Sequence, residues 1–200
     1  PGRFSVNTFE AAKRTTLTAE STAYHEALPG HHLQLSIAQE LETVPEFQKH
    51  TDITAFEEGW ALYTERLPKE LGFYKDPYSD YGRLNDELLR AIRLVVDTGV
   101  HHLHWTRQQM VDFFHAHGSM DEVDIQSETD RYIANPGQAL AYKIGQLKIL
   151  ELRERAKQKL GDRFNLRAFH DLVLGGGALP LDLLKARVEA WVDSRAVSSP

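Results

Sequence analysis

A histidine-rich segment, YHEALPGHHLQ, carries the side chains best suited to metal chemistry. It places His25 and Glu26 ahead of His31 and His32, and a second segment, FEEGWALYTE from residue 56, adds three glutamates. A catalytic zinc site needs imidazole and carboxylate ligands around one ion, with one position left for water. A glutamate beside the first imidazole then takes a proton from that water. The two segments therefore predict a zinc site with hydrolytic chemistry.

The spacing of the histidines departs from the usual zinc-hydrolase form, in which two histidines four residues apart share one helix face. The residue four positions after His25 is Pro29. In a regular helix His31 would lie about 240° around the axis, facing away from His25. His32 would return to the same face but about 10.5 Å along the axis, too far for two zinc–nitrogen bonds of about 2.1 Å. Neither histidine can pair with His25 on a regular helix.

The Pro-Gly pair between the histidines resolves this conflict. Pro29 lacks an N–H and clashes with the preceding turn, whereas Gly30 can adopt a backbone conformation that other residues avoid. We therefore predict a bulge at Leu28–Gly30 that returns one imidazole to His25. Looping out three residues restores the helical face better than looping out two, which favours His32. A proline kink need not keep the two half-helices coaxial, so His31 also remains a possible partner of His25.

The periodicity of apolar residues predicts an all-α fold with one short edge strand at Arg3–Thr8. Caps, prolines and glycines delimit the helices. The predicted helices run from about Ala19 to Glu42 with a break at Pro29-Gly30, from after Asp52 to a stop or kink at Pro68, from Pro77 to about Gly99, from Thr106 to Gly118, from Asp121 to Ala134, from Pro136 to Gly161, from Asn165 to Gly175, and from Pro180 onward. Thr18, Thr106 and Asn165 are the expected N-caps.

Composition narrows the possible functions. The 200 residues are 42% hydrophobic and 26% charged, as expected for one globular domain. The absence of cysteine excludes thiol catalysis and cysteine-ligated zinc. The net charge of −6 argues against nucleic acid as a partner, and no apolar run approaches the ~20 residues of a membrane helix. No signal peptide is visible, and because the sequence opens at Pro1 we expect either a processed product or a piece of a longer protein.

The motif HEALPGH resembles the HExxPGH signature of a large, mostly bacterial family of proteins of unknown function, which is itself similar to the gluzincin zinc metallopeptidases. EEGWALYTE, DTGVHHLHW and NPGQALAYKIGQLKILELR follow in the family's order, so the resemblance extends over nearly the whole chain. It implies a gluzincin-like helical domain. Residues 1–200 would form the zinc-binding half of such a metallopeptidase, as the C-terminal part of a longer protein whose N-terminal half completes the cleft.

The resemblance also implies roles for individual residues of the first motif. His25 would be the first zinc ligand, and Glu26 would be the general base. His31 fills the position after Gly30 in the signature and would be the second ligand. His32 falls outside the signature and is the alternative to His31.

The second motif would supply the third ligand and further partners. Glu58 precedes Gly-Trp-Ala and resembles the ligand glutamate of aminopeptidase-type gluzincins. Glu57 is the alternative, although it would point about 100° away on a helix. Glu65 shares the face of Glu58 and could bond a ligating histidine, but a solvated charge is the favoured interpretation. Gln34 could play the same supporting part.

Amide hydrolysis also needs a donor for the oxyanion on the tetrahedral carbon, commonly a tyrosine hydroxyl or a protonated histidine. Tyr142 is the first candidate, beside Gly145, where a substrate could approach closely. His101 is the second candidate, because Asp97 lies four residues earlier and could hold its imidazole. Both assignments are hypotheses from the sequence.

Together these features predict zinc-dependent hydrolysis of peptide or amide bonds, with Glu26 as base and Zn²⁺ as cofactor. The alternative is a catalytically silent metal-binding domain that binds a peptide or protein partner. Expected partners are a peptide or small amide substrate and the missing N-terminal half of the same protein, with no nucleic acid. The compartment is unassigned, and would be periplasmic or extracellular if a preceding segment carries an export signal.

Overall fold

The computed structural model describes residues 2–6, 8 and 15–196. Within these ranges the chain is helical and contains no strand. The helices are α1 Ala19–Glu26, α2 His31–Glu40, α3 Glu46–Lys49, α4 Thr54–Glu70, α5 Pro77–His101, α6 Arg107–His117, α7 Glu122–Ala134, α8 Gln138–Leu160, α9 Leu166–Leu174 and α10 Leu181–Ala196, with a 3-10 turn at Gly161–Arg163. The all-α class is confirmed, and α3 is a short helix that the sequence pattern did not predict.

Side-chain hydrogen bonds cap the starts of α5, α6, α7 and α9. Thr106 accepts from the Gln109 backbone N–H at 3.2 Å, and the Gln109 side chain accepts from the Thr106 N–H at 2.8 Å, a complete capping box. Asn165 caps α9 as predicted. Thr18 occupies the N-cap position of α1 as predicted, but its side chain makes no capping hydrogen bond. Pro68 lies inside the last turn of α4 without ending it.

The predicted strand at Arg3–Thr8 is wrong for the residues that can be described. Residues 3–6 and 8 form no strand, while Asn7 lies outside the described part of the chain. Phe4 is 53% exposed and Val6 is 71% exposed. A strand needs a neighbouring strand to pair its backbone groups, and the described residues offer none.

The crossing of α4 and α8 is the central contact of the fold, and it depends on two glycines. A Cβ added to Gly59 would lie 2.4 Å from the Gly145 Cα, and one added to Gly145 would lie 1.9 Å from the Ala55 carbonyl oxygen. Gly145 thus serves helix packing, which corrects its predicted place beside a substrate. The close crossing brings Tyr142, one turn earlier on α8, next to Glu58 on α4.

Two apolar clusters flank this crossing. One joins α4, α8, α9 and α10 and contains Phe56, Trp60, Tyr63 and Phe169. The other joins α5, α6 and α7 around buried residues such as Phe114. Trp60, Tyr63 and Phe114 are fully buried. In the described part of the chain, none of the helices combines the length and apolar character needed to cross a bilayer.

Candidate metal centre

The chain breaks between α1 and α2, where the Pro-Gly pair predicts a departure from regular helix. α1 ends at Glu26, and α2 begins at His31. A Cβ on Gly30 would lie 1.8 Å from the His25 carbonyl oxygen, so only glycine lets α2 start against the last turn of α1. The predicted interruption is confirmed.

Trp60 of α4 fixes this break in place. Its indole Nε1 donates to the Pro29 carbonyl oxygen at 2.9 Å. The indole is 1% exposed, so this bond satisfies a buried donor. The bond ties the turn between the two histidine-bearing helices to the helix that carries Glu58.

The structure brings His25, His31 and Glu58 together. Glu58 Oε2 lies 3.2 Å from His31 Nε2 and 3.5 Å from His25 Nε2, and one ligand atom from each residue lies within 4.8 Å of the other two. Two ligand atoms about 2.1 Å from a tetrahedral zinc ion would lie about 3.4 Å apart. Two imidazole nitrogens and one carboxylate oxygen match a zinc donor set, so the group could hold such an ion.

Burial within this group is uneven. His25 is only 4% exposed, whereas the side chains of His31 and Glu58 are 21% and 17% exposed. One side of the group is therefore embedded in the protein and the other is accessible to solvent. A catalytic zinc site needs such an open side for water and substrate.

Electrostatics also favour a cation at this position. Burial disfavours the charged form of Glu58, but hydrogen bonds from His25 and His31 outweigh it and hold the pKa of the carboxyl well below its usual range, with a further contribution from Tyr142. Burial lowers the pKa of His25, yet its bonds to Glu58 and Glu65 raise it overall. The group presents an ionised carboxylate between two imidazoles.

Glu65 is buried against His25, which corrects the solvated charge expected from the sequence. Its side chain is 2% exposed, and its Oε1 lies 2.7 Å from His25 Nδ1. In the neutral imidazole, an Nδ1 that donates to this carboxylate leaves the Nε2 lone pair for a metal. Histidine ligands are commonly oriented by such a carboxylate. The spacing of seven residues from Glu58 was the signal that pointed to this contact.

Tyr142 lies beside the same group. Its ring stacks on His25 with 6.3 Å between centroids and 23° between planes. Its hydroxyl accepts from Gln138 Nε2 at 3.2 Å, and the residue is 9% exposed. The tyrosine is therefore held next to the candidate ligands and keeps a hydroxyl hydrogen to donate.

Glu26 and His32 line a cavity beside the break. Both side chains are exposed and line a cavity of about 470 Å³, together with Thr22, Ala27 and the segment 2–5. The His32 ring lies against Gly2, where an added Cβ would be 2.7 Å from His32 Nδ1. His32 is not part of the group formed by His25, His31 and Glu58.

His101 has another partner at the end of α5. It is exposed, and its Nε2 lies 2.9 Å from the Tyr132 carbonyl oxygen. Both carboxylate oxygens of Asp97 accept from the Gly137 N–H, at 3.1 and 3.2 Å. The predicted Asp97–His101 bond is therefore wrong, because the backbone before α8 takes the carboxylate.

Neither Glu57, the alternative third ligand, nor Gln34, the alternative supporting residue, belongs to the group formed by His25, His31 and Glu58. Glu57 accepts from the Ile53 N–H at 3.2 Å and so caps the start of α4. Gln34 is buried, but its amide finds no hydrogen-bond partner among the described residues, so the expected bond to a ligating histidine is not formed.

The structures of two similar proteins have been solved. A "putative lipoprotein" from Colwellia psychrerythraea is 47% identical over 89% of this chain, with a TM-score of 0.87. A "putative lipoprotein of unknown function" from Shewanella oneidensis is 26% identical over 83% of the chain, with a TM-score of 0.77. The chain spans only 31% and 30% of those two proteins.

No curated protein matches the chain. A family of bacterial proteins of unknown function, DUF885, matches residues 1–188. Since this match covers nearly the whole sequence, the chain belongs to the DUF885 family.

Proposed function

We propose that this chain carries a zinc site for the hydrolysis of peptide or amide bonds. The observation that supports it is the meeting of His25, His31 and Glu58, whose ligand atoms lie within 4.8 Å of one another. The carboxylate of Glu65 behind His25 strengthens the case, because it orients the imidazole from the protein side.

Each element of the reaction has a candidate residue. A zinc ion held by the three ligands would lower the pKa of a water molecule and polarise the scissile carbonyl. The Glu26 carboxylate would accept a proton from the attacking water and pass it to the leaving nitrogen. Its exposed position on the 470 Å³ cavity, directly after His25, suits contact with a substrate.

The oxyanion would be held by Tyr142. Its position against His25 and its hydroxyl, which contributes a hydrogen bond to Glu58, support this role. His101, the second candidate, is a weaker one. It lies eight residues beyond Arg93 on α5, about 12 Å along the helix axis, and the Arg93 guanidinium lies 4.7 Å from the centroid of the Tyr142 ring.

We propose that the whole protein is longer than this chain and is exported. The related proteins are named as putative lipoproteins and are about three times the length matched here. We infer that residues 1–200 form the zinc-binding half of a gluzincin-like protein, and that a further part of the polypeptide completes the cleft.

The experiment is a zinc determination followed by hydrolysis of a peptide library with and without a chelator. We expect one equivalent of zinc and chelator-sensitive cleavage. Zinc without cleavage would favour the second candidate, a silent metal-binding domain, which the limited span of this chain against its relatives makes worth testing. Absence of bound zinc would contradict both candidates.

A further inference from the structure

A buried arginine lies behind the candidate metal site. Arg90, midway along α5, has a side chain only 13% exposed, and its Nη2 lies 3.4 Å from Glu65 Oε1. Its Nη1 lies 3.3 Å from Asp86 Oδ1 and donates to the Asp86 carbonyl oxygen at 3.1 Å. A buried guanidinium is costly unless it is paired, and here it is paired with carboxylates from two helices.

Asp86 is itself anchored to the helix that carries His25. Its Oδ2 accepts from the Ser21 hydroxyl at 2.5 Å, and Ser21 is fully buried. Ser21 lies one turn before His25 on α1. The contacts therefore form a closed ring through three helices: α1 to α5 by Ser21 and Asp86, α5 to α4 by Arg90, and α4 back to α1 by Glu65.

We propose that Arg90 is a positioning residue that holds the Glu65 carboxylate against His25. The imidazole then presents Nε2 to Glu58 and His31. The proposal rests on the metal site proposed above and adds a residue that touches neither metal nor substrate. Part of the metal affinity would then depend on the ion pair of Arg90 and Asp86 on α5.

The geometry explains why Glu65 needs this support. A single oxygen, Oε1, meets both His25 and Arg90, while Oε2 is buried without a partner among the described residues. Without the guanidinium, the buried carboxylate would lose its only cationic partner in the ring and could rotate away from His25. Loss of a partner that orients a ligand commonly weakens metal binding by about 10–100-fold.

The test is a titration of the 200-residue chain with Co²⁺ and Zn²⁺, comparing the parent with Arg90→Gln. We expect a Kd about 10–100-fold weaker and a visible Co²⁺ spectrum altered by a misplaced imidazole. Arg90→Lys keeps the charge but provides a single point of contact, so its Kd should fall between the two. Circular dichroism monitors the fold throughout.

Arg83→Gln is the matched control. Arg83 is a buried arginine on the same helix, 7% exposed, and its ion pairs are with Asp80 and Glu87 rather than with Glu65. Its loss should leave the Kd and the Co²⁺ spectrum unchanged, even if it lowers stability. Equal weakening in Arg83→Gln and Arg90→Gln would reduce Arg90 to a structural role and overturn the proposal.

The metal site and the positioning role of Arg90 can be overturned separately. A parent chain that binds neither Co²⁺ nor Zn²⁺ would overturn the metal site, and the positioning role with it. A folded Arg90→Gln with the parent's Kd and spectrum would overturn the positioning role alone. If Arg90→Gln fails to fold, the test is made with Ser21→Ala, which removes only the hydrogen bond that anchors Asp86. A weaker Kd for folded Ser21→Ala would support the positioning role of Arg90, and an unchanged Kd would overturn it.

Discussion

Two histidines pack against the same helix, α4, in opposite electrostatic surroundings. His25 lies between Glu58 and Glu65, and these carboxylates raise its pKa despite burial. His170 of α9 lies 2.7 Å from the Tyr63 hydroxyl, and burial, aided by the charge of Arg153, lowers its pKa to about 4. The first environment attracts a cation, whereas the second excludes one.

Trp60 connects the two regions. Its ring meets His170 edge-on at 5.5 Å, and its Nε1 holds the Pro29 carbonyl at the break before His31. One side of α4 is therefore closed by aromatic packing, while the other carries the carboxylates. The comparison shows that the neighbours of a histidine, rather than its burial, distinguish a candidate ligand from a core residue.

The largest effect is expected from removing a candidate ligand. His31→Ala should reduce bound zinc from one equivalent towards none, because it leaves only His25 and Glu58. His32→Ala is the control, since His32 lies against Gly2 outside the group. Zinc content after dialysis is the measurement, and loss of zinc in His32→Ala but not in His31→Ala would reverse the ligand assignment.

Replacing the candidate base should separate binding from turnover. Glu26→Gln should keep zinc and lower kcat by about 10²–10⁴-fold, the usual contribution of a general base. Glu20→Gln, on the same helix, should leave kcat unchanged. Parent-level hydrolysis by Glu26→Gln would remove Glu26 from the reaction.

A pair of tyrosines sharpens the comparison between the two sides of α4. Tyr142→Phe should lower kcat by about 10²–10³-fold with little change in zinc, as expected for a lost oxyanion donor. Tyr63→Phe removes the hydroxyl of another buried tyrosine, beside His170, and should leave kcat intact. Equal losses in both variants would indicate a general packing effect.

The smallest effect concerns stability at acidic pH. Because the folded pKa of His170 is about 4, below the ordinary value of about 6.5, the unfolded chain takes up a proton first as the pH falls. His170 thus contributes stability that is present above pH ~6.5 and is lost as the pH falls towards 4, amounting to about 3 kcal/mol.

The measurement is chemical unfolding at several pH values between 4 and 7. His170→Gln keeps a polar side chain near Tyr63 but cannot titrate, so its free energy of unfolding should fall less steeply with decreasing pH. Parallel curves for parent and variant would show that His170 is not held neutral.

Features encoded within one stretch of sequence were predictable. Pro29 and Gly30 forced a break in the helix, and Thr106 and Asn165 marked helix starts, because each acts through neighbours a few residues away. The pairing of Glu65 with His25 was only one of two interpretations, since the helix face of Glu65 was known but the neighbouring helix was not.

Contacts between distant helices could not be predicted. Arg90 and Asp86 resembled ordinary charges on α5, and nothing local placed them behind His25. Gly145 suggested room for a substrate, but α4 occupies that space. Asp97 was the expected partner of His101, but its carboxylate accepts instead from a backbone N–H in the turn before α8.

The most direct test of the central claim is X-ray absorption at the zinc edge on the zinc-loaded chain. The account predicts one zinc ion per chain, with scattering from two imidazoles and one carboxylate among oxygen and nitrogen neighbours at about 2.0–2.2 Å. Zinc that dialyses away, or a spectrum without imidazole scattering, would contradict the site formed by His25, His31 and Glu58.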